Sequence, residues 1–346
     1  MAKTKVLVVD DSAFMRQVLS DIISFDKSIE VIGTARNGID ALAKIESLKP
    51  DVITLDVQMP VMDGFTTLEL IMTKYELPVI MLSSLTSEGT EATVKALEKG
   101  AVDFILKPVG FDMSQLKAEL ISKIKLAAKV NVHKPLTIQK NITIKPVNLL
   151  KSKCPHKADQ IVLIGTSTGG PKALQEVLPL FPKNFPAPIL VVQHMPPGFT
   201  KSLAERLNSL SAITVKEAEH GEAIEPGFAY IAPGDYHLMI NNNQKCISIK
   251  LTKDNLVSGH RPSVNVMMTS VCENFKGYII GVILTGMGSD GTEGMKFINK
   301  IKGRTIAEDE STCVVYGMPK AAVLAGCVDI VVPIFDITST IIKSLR

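Results

Sequence analysis

Two groups of residues in this 346-residue chain have types and spacings that could do chemistry. In the first, Asp10 and Asp11 close the apolar run "KVLVV" and Asp56 closes "DVITL". Ser83 and Ser84 close "LPVIML", and Lys107 follows "VDFIL" just before a proline. Three carboxylates gathered at one edge repel one another. A hard divalent cation relieves the repulsion, and all-oxygen donors suit Mg2+. Aspartates at strand ends also serve as helix caps. An adjacent pair, a third on a neighbouring strand, a hydroxyl and a lysine together exceed what capping requires. In the second group, "GTSTGG" (Gly165 to Gly170) interrupts the apolar run "QIVLI". It fits neither the dinucleotide fingerprint nor the P-loop, but it fits GxSxG with Ser167 at the centre. By itself it allows three readings: a nucleophile on a tight turn, a helix cap, or an anion site. A serine nucleophile needs a base within reach and an acid to orient that base. His194 directly follows "PILVVQ", and Asp290 sits in "GMGSDGTEGM" after the run "GVIL". Among the other histidines, His237 and His260 stay open as alternatives to His194. Asp290 has its own alternative, capping the helix that follows it. Gly286, Gly288 and Gly291 leave backbone N–H groups able to face an oxyanion.

These groups can meet only if the strands are parallel. "KVLVVD", "IEVIGTA", "DVITLD", "LPVIMLSS" and "VDFILKP" read as five buried strands separated by amphipathic helices. This alternation predicts a flavodoxin-like, doubly wound α/β domain over residues 1–130, with the functional residues at the carboxyl edge of its sheet. The pattern resumes with "QIVLIGT", "APILVVQH", "KGYIIGVILTG", "GRTIAED" and "CVDIVVP". A second parallel-sheet, Rossmann-like domain is therefore expected over residues 158–346. Its middle, "GFAYIAPGDYHLMINNNQKCISIKL", reads as an insertion of antiparallel strands turning at Pro233–Gly234 and at Asn241 to Asn243. Residues 131–157 are expected to be a basic, proline-broken linker: from Leu120 to Ala158 there are nine lysines and no acidic residue. This linker reads either as a tether or as a basic docking segment.

Composition narrows the function. Apolar residues make up 46% and charged residues 21%, and the formal net charge is +3. That charge, with no dense basic stripe and no helix-turn-helix pattern, argues against nucleic acid as a partner. The five scattered cysteines show no CxxC spacing, which points to reduced thiols in the cytoplasm and away from a zinc site. The N-terminal apolar run is too short for a signal peptide, and no segment is long enough to insert in a membrane.

The motifs "VVDDS", "DVQMPVMDG", "MLSS" and "DFILKP" resemble the response-regulator receiver domain. The resemblance implies that Asp56 accepts a phosphoryl group from a histidine kinase. It also implies that Asp10, Asp11, Asp56 and the backbone carbonyl of Gln58 hold Mg2+. Ser83 and Lys107 would bind the phosphoryl oxygens, and Phe104 would change rotamer. In the second half, "IGTSTGGPKAL", "VVQHMPPGFT", "APGDYHL", "HRPSVNVMM", "ILTGMGSDGTEGM" and "EDESTCVVYGMPKAA" resemble the catalytic domain of the CheB family, the chemotaxis protein-glutamate methylesterases. That resemblance implies a phosphorylation-activated hydrolase acting on glutamate γ-methyl esters of methyl-accepting chemoreceptors, and on receptor glutamines by the same acyl route. No cofactor is expected for the ester hydrolysis itself. The family's catalytic residues fall on Ser167, His194 and Asp290. Thr168 and the backbone N–H of Met287 match its supporting and oxyanion positions. Thr166 stands where alanine is usual, and Ser289 where asparagine is usual.

Overall fold

The computed structural model describes residues 3–84, 86–107, 113–130, 159–243 and 246–346. The chain divides into two compact units, Met1–Leu136 and Thr137–Arg346. The expected linker, residues 131–157, lies outside the described residues.

The first unit runs β1 (Thr4–Val9), α1 (Ala13–Ser24), β2 (Ile29–Ala35), α2 (Gly38–Leu48), β3 (Val52–Asp56), α3 (Gly64–Lys74), β4 (Val79–Ser83), α4 (Ser87–Glu98), β5 (Asp103–Leu106) and α5 (Met113–Ala127). The sheet order is β2-β1-β3-β4-β5 and every pairing is parallel. Val6 to Val9 and Val79 to Met81 are fully buried because helices cover both faces of such a sheet. Ser12, Asn37, Asp63 and Thr86 cap α1 to α4, each accepting a backbone N–H from the first turn. The strand order reverses between β1 and β3, so Asp10, Asp11 and Asp56 face one crevice.

The second unit runs β6 (Gln160–Thr166), α6 (Gly170–Val177), β7 (Ile189–Gln193), α7 (Phe199–Leu210), β8 (Thr214–Glu217), β9 (Phe228–Ile231), β10 (His237–Asn243), β11 (Cys246–Thr252), α8 (Val264–Asn274), β12 (Tyr278–Ile283), α9 (Thr292–Lys300), β13 (Arg304–Glu308), α10 (Met318–Leu324), β14 (Ile330–Val332) and α11 (Ile334–Lys343). Seven of these strands form a parallel sheet in the order β14-β13-β12-β6-β7-β9-β8. Its order reverses between β6 and β12, and Ser167, Asp290 and His194 follow β6, β12 and β7.

The insertion is smaller than expected. Among the described strands, β10 and β11 alone pair antiparallel; β9 lies in the main sheet, parallel to β7 and β8. Asn241 to Asn243 do not form a turn. They continue β10, opposite Ser248, Ile247 and Cys246. Polar residues suit this stretch because Asn241 and Asn242 are exposed. The Pro233 turn is present, with the Tyr236 N–H bonded to the Pro233 carbonyl at 3.3 Å. The hairpin packs on α8 through Leu238, Ile240 and Ile249, in one core with Met267 and Val271.

Candidate functional sites

In the first unit, carboxylate oxygens of Asp10, Asp11 and Asp56 lie within 4.8 Å of one another. Lys107 Nζ sits 2.8 Å from Asp10 Oδ2 and 2.7 Å from Asp56 Oδ2. One ammonium cannot balance three carboxylates. Burial lifts the Asp56 carboxyl to about 6, with the Lys107 hydrogen bond and charge opposing and the Asp10 charge adding. Asp10 Oδ2 is fully buried and accepts no directed hydrogen bond, so its contact with Lys107 is an ion pair. The residues therefore fit a divalent cation held by oxygen donors. Arg16 fixes the loop that carries the acidic pair, donating to the Asp10 and Asp11 carbonyls at 2.8 and 2.9 Å. Gln58 is exposed beside Asp56, and its N–H lies 3.4 Å from Asp56 Oδ1. Ser83 is not turned to Asp56. Its Oγ lies 3.2 Å from the Gly89 carbonyl and 2.8 Å from Thr93 Oγ1, both on α4. Phe104 is 5% exposed, already packed inward, with Lys123 Nζ 5.3 Å from its ring centre.

In the second unit, Ser167 begins a β-turn in which the Gly170 N–H bonds back to the Ser167 carbonyl at 2.8 Å. Gly169, third in the turn, has φ +80°, a conformation strained for any residue with a Cβ. Gly169 is also the N-cap of α6 and supplies no side-chain bond. Ser167 therefore does not cap this helix, and its hydroxyl is left for other work. The left-handed residue is Gly169 rather than the serine, which differs from the strained-serine geometry that GxSxG suggests.

His194 Nε2 lies 2.9 Å from Asp290 Oδ2, with both side chains nearly buried. The carboxylate accepts a hydrogen bond from Nε2–H, so Nδ1 carries the lone pair, and Nδ1 is buried with no hydrogen-bond partner. The backbone N–H of His194 bonds to the Thr166 carbonyl at 3.2 Å, which keeps the histidine next to Ser167 across the β6–β7 edge. Asp290 does not cap α9, whose N-cap is Gly291. It caps α8 through space instead. Oδ2 accepts from Val264 N at 2.7 Å, and Oδ1 accepts from Asn265 N at 3.0 Å and Ser263 Oγ at 2.9 Å. Burial alone would raise this carboxyl. The bond and charge of His194, with the two backbone N–H groups, outweigh burial and hold it below the usual carboxylate range.

The loop after β12 presses against the serine. A Cβ on Gly286 would fall 2.8 Å from Ser167 Cβ and 2.4 Å from Met318 Sδ, so only glycine allows this approach. Gly286 is stitched in place by its own N–H to the Val315 carbonyl, and by Met318 N–H to its carbonyl at 2.8 Å. Thr285 joins the two loops: its carbonyl accepts from Ser167 N at 3.0 Å, and its Oγ1 donates to the Thr168 carbonyl at 3.0 Å. Behind it the buried Glu308 carboxylate accepts from Thr285 N at 2.8 Å. Met287 follows Gly286, with a side chain 40% exposed.

The alternative histidines separate clearly. His237 is 1% exposed, and both ring nitrogens are engaged: Nδ1 accepts from Ser263 N at 3.2 Å and Nε2 bonds the Asn255 carbonyl at 3.0 Å. It braces the α8 cap and has no nitrogen left to act as a base. His260 stacks flat on His194, ring centres 4.0 Å apart.

The CheB methylesterase family profile matches residues 162–341, and the response regulator receiver profile matches residues 6–121. A protein-glutamate methylesterase/protein-glutamine glutaminase from Syntrophomonas wolfei is 50% identical over the full length of both chains. One of the same description from Bacillus subtilis is 48% identical, covering 99% of this chain and 98% of its own. The chain belongs to the CheB methylesterase family. It is a hydrolase of that family with a receiver domain at its N-terminal end. The crystal structure of the Thermotoga maritima CheB methylesterase catalytic domain matches 55% of this chain and all of its own, at 50% identity and a TM-score of 0.54. Both units are parallel-sheet α/β, as the alternating runs imply. No described helix is long and apolar enough to cross a membrane.

Three residues of these sites escape a reading by motif: Arg16, Ser263 and Glu308. Ser263 lies within "HRPSVN" and Glu308 opens "EDEST". Their partners are 27 and 23 residues away in sequence, and no local pattern reports such a bond.

Proposed function

We propose that this protein hydrolyses glutamate γ-methyl esters on chemoreceptors, deamidates receptor glutamines by the same route, and is activated by phosphorylation of Asp56. The observation that carries the hydrolytic reading is the Asp290–His194 hydrogen bond, which leaves a buried, unpartnered Nδ1 on the strand end next to that of Ser167, a serine that caps nothing and whose hydroxyl must close on Nδ1 when substrate binds. Ser167 Oγ attacks the ester carbonyl carbon while His194 Nδ1 takes its proton. The carbonyl oxygen becomes an oxyanion against the N–H of Met287, on a loop already fixed and so costing little reorganisation. Collapse breaks the C–O bond, and His194 returns the proton to the departing methoxide, giving methanol. Water, deprotonated by His194, then attacks the acyl-serine; the bond from the acyl carbon to Oγ breaks, His194 returns the proton to Ser167 Oγ, and the receptor glutamate side chain is released. With glutamine, ammonia leaves in place of methanol. Asp290 keeps the imidazole in the reactive tautomer and stabilises the imidazolium. Thr168 lies buried beside Ser167 and supports the turn.

In the receiver unit, Asp10, Asp11, Asp56 and the Gln58 carbonyl would hold Mg2+, which supplies charge neutralisation around the transferring phosphoryl group. Asp56 Oδ attacks the phosphorus of a kinase phosphohistidine, the P–N bond breaks, and the kinase imidazole leaves. Lys107, already on Asp56, would shift to a phosphoryl oxygen. Ser83 must leave its α4 partners to reach that group, and the inward Phe104 ring can follow. A cytoplasmic location fits both the kinase donor and the substrate. The test is labelling with a fluorophosphonate, followed by peptide mapping. The adduct is expected on Ser167 and absent from Ser167→Ala and His194→Ala; an adduct on another residue with Ser167 unmodified would move the nucleophile.

A further inference from the structure

Gln193 is the last residue of β7, immediately before His194, and it is 3% exposed. The backbone ladder between β6 and β7 stops here, with Thr166 opposite Gln193. Beyond this point the chain separates into the turn that carries Ser167 and the loop that carries His194. The Gln193 side chain bridges them. Its Nε2 donates to the Ser167 carbonyl at 3.0 Å and to the His194 carbonyl at 3.2 Å. The Ser167 carbonyl is thereby held twice, by this amide and by the Gly170 N–H at 2.8 Å. The orientation of the amide follows from its partners, since the reverse would set its oxygen against two carbonyl oxygens.

The other half of the amide makes no hydrogen bond. Gln193 Oε1 is buried without a hydrogen-bond partner. It lies against α6 where a Cβ on Gly170 would come within 1.9 Å, so Gly170 is required to admit it. A buried acceptor left unpaired is unfavourable, and an apolar side chain of the same length would avoid it. The fold keeps an amide whose only polar bonds hold the two loops together.

We propose that Gln193 is a positioning residue for the hydrolysis, a strap that sets the Ser167 turn and the His194 loop at the separation proton transfer requires. This rests on the roles proposed above for Ser167 and His194. Gln193 touches neither substrate nor a reacting atom. Removing it is expected to loosen the distance between Oγ and Nδ1, which rate depends on steeply.

The test uses the full chain and methylated receptor, with Gln193→Leu, Ser167→Ala and the double variant. Gln193→Leu keeps the shape and removes both donors. It is expected to lower kcat at least 30-fold, leave KM within twofold, and slow fluorophosphonate labelling of Ser167 by the same factor as kcat. In the Ser167→Ala background it should change residual hydrolysis less than twofold, because a strap has no function without the nucleophile. Gln193→Leu at wild-type kcat overturns the strap. So does a loss that appears equally in KM, or that persists undiminished in the Ser167→Ala background, either of which marks a merely structural residue. A fully active Ser167→Ala overturns the nucleophile assignment instead, so the two failures are distinguishable.

Discussion

Replacing Asp290 with asparagine should be far more damaging than the loss of one charge. Five donors converge on this carboxylate: Ser263 Oγ, Asn265 N and Gly291 N on Oδ1, and Val264 N and His194 Nε2 on Oδ2. An amide has one accepting end. If its oxygen takes the Oδ1 position, its NH2 faces the N–H of Val264 and the N–H of His194. The imidazole escapes that clash only by moving its proton to Nδ1. Nδ1 is then a donor, and Ser167 has no base. In serine hydrolases this tautomer error costs about 10⁴ in kcat, roughly 5 kcal/mol. The buried Val264 N–H loses its acceptor as well, at about 1–3 kcal/mol. For a domain of this size that lowers Tm by roughly 2–10 °C. Methanol release measures the first effect and a thermal melt the second. Asp290→Asn retaining more than a tenth of wild-type kcat would refute the tautomer argument, even if the melt shifts as expected.

Other perturbations have equally definite outcomes. Gly64→Ala puts a Cβ 1.9 Å from the Asp56 carbonyl oxygen, so α3 or the end of β3 must move; acid-labile phosphorylation by a small-molecule donor should slow at least tenfold, and unchanged labelling would contradict the contact. Asp56→Asn should take up no acid-labile phosphate, and chelating divalent cations should stop labelling of the wild type; labelled Asp56→Asn would place the acceptor elsewhere. Burial lifts Glu308 from its ordinary 4.5 to about 7. The unfolded chain therefore gives up this proton first as pH rises, so the folded state loses about 3 kcal/mol between pH 4.5 and 7 and regains none above. Glu308→Gln keeps an acceptor for Thr285 N and does not ionise, so denaturant melts at pH 5 and pH 8 should differ by about 3 kcal/mol less than in wild type. Parallel melts across that range would rule out the raised carboxyl.

The strand-end chemistry was legible in the sequence because parallel sheets write it there. A fully buried strand reads as an apolar run, and the polar residues that follow it lie at the carboxyl edge. This is how Asp10, Asp56, Lys107, Ser167 and His194 fall where the runs stop. Edge strands write less clearly: β8, with the burial of only Val215 to mark it, carries no apolar run. The direction of β9 depends on its neighbours β7 and β8, not on its own residues, so a parallel strand read as part of an antiparallel insertion. Asn241 to Asn243 looked like a turn because asparagine favours turns, yet two of them lie on an exposed strand where packing does not select against them. The roles of Gln193, Ser263 and Glu308 were invisible for another reason. Each depends on a hydrogen bond across the sheet edge to a residue distant in sequence, and residue type alone does not specify such a partner. Asp290 shows the same limit, since the helix it caps is α8 and not the one that follows it.

Ser167 Oγ is the group proposed to open the receptor ester. The measurement that tests it most directly is methanol release from membranes carrying methylated chemoreceptor, comparing wild type with Ser167→Ala at equal concentration after phosphorylation of both. Steady release is expected from the wild type and only a residual rate, lower by about 10³-fold or more, from the variant, with both proteins taking up phosphate equally at Asp56. Release from Ser167→Ala at the wild-type rate would contradict it.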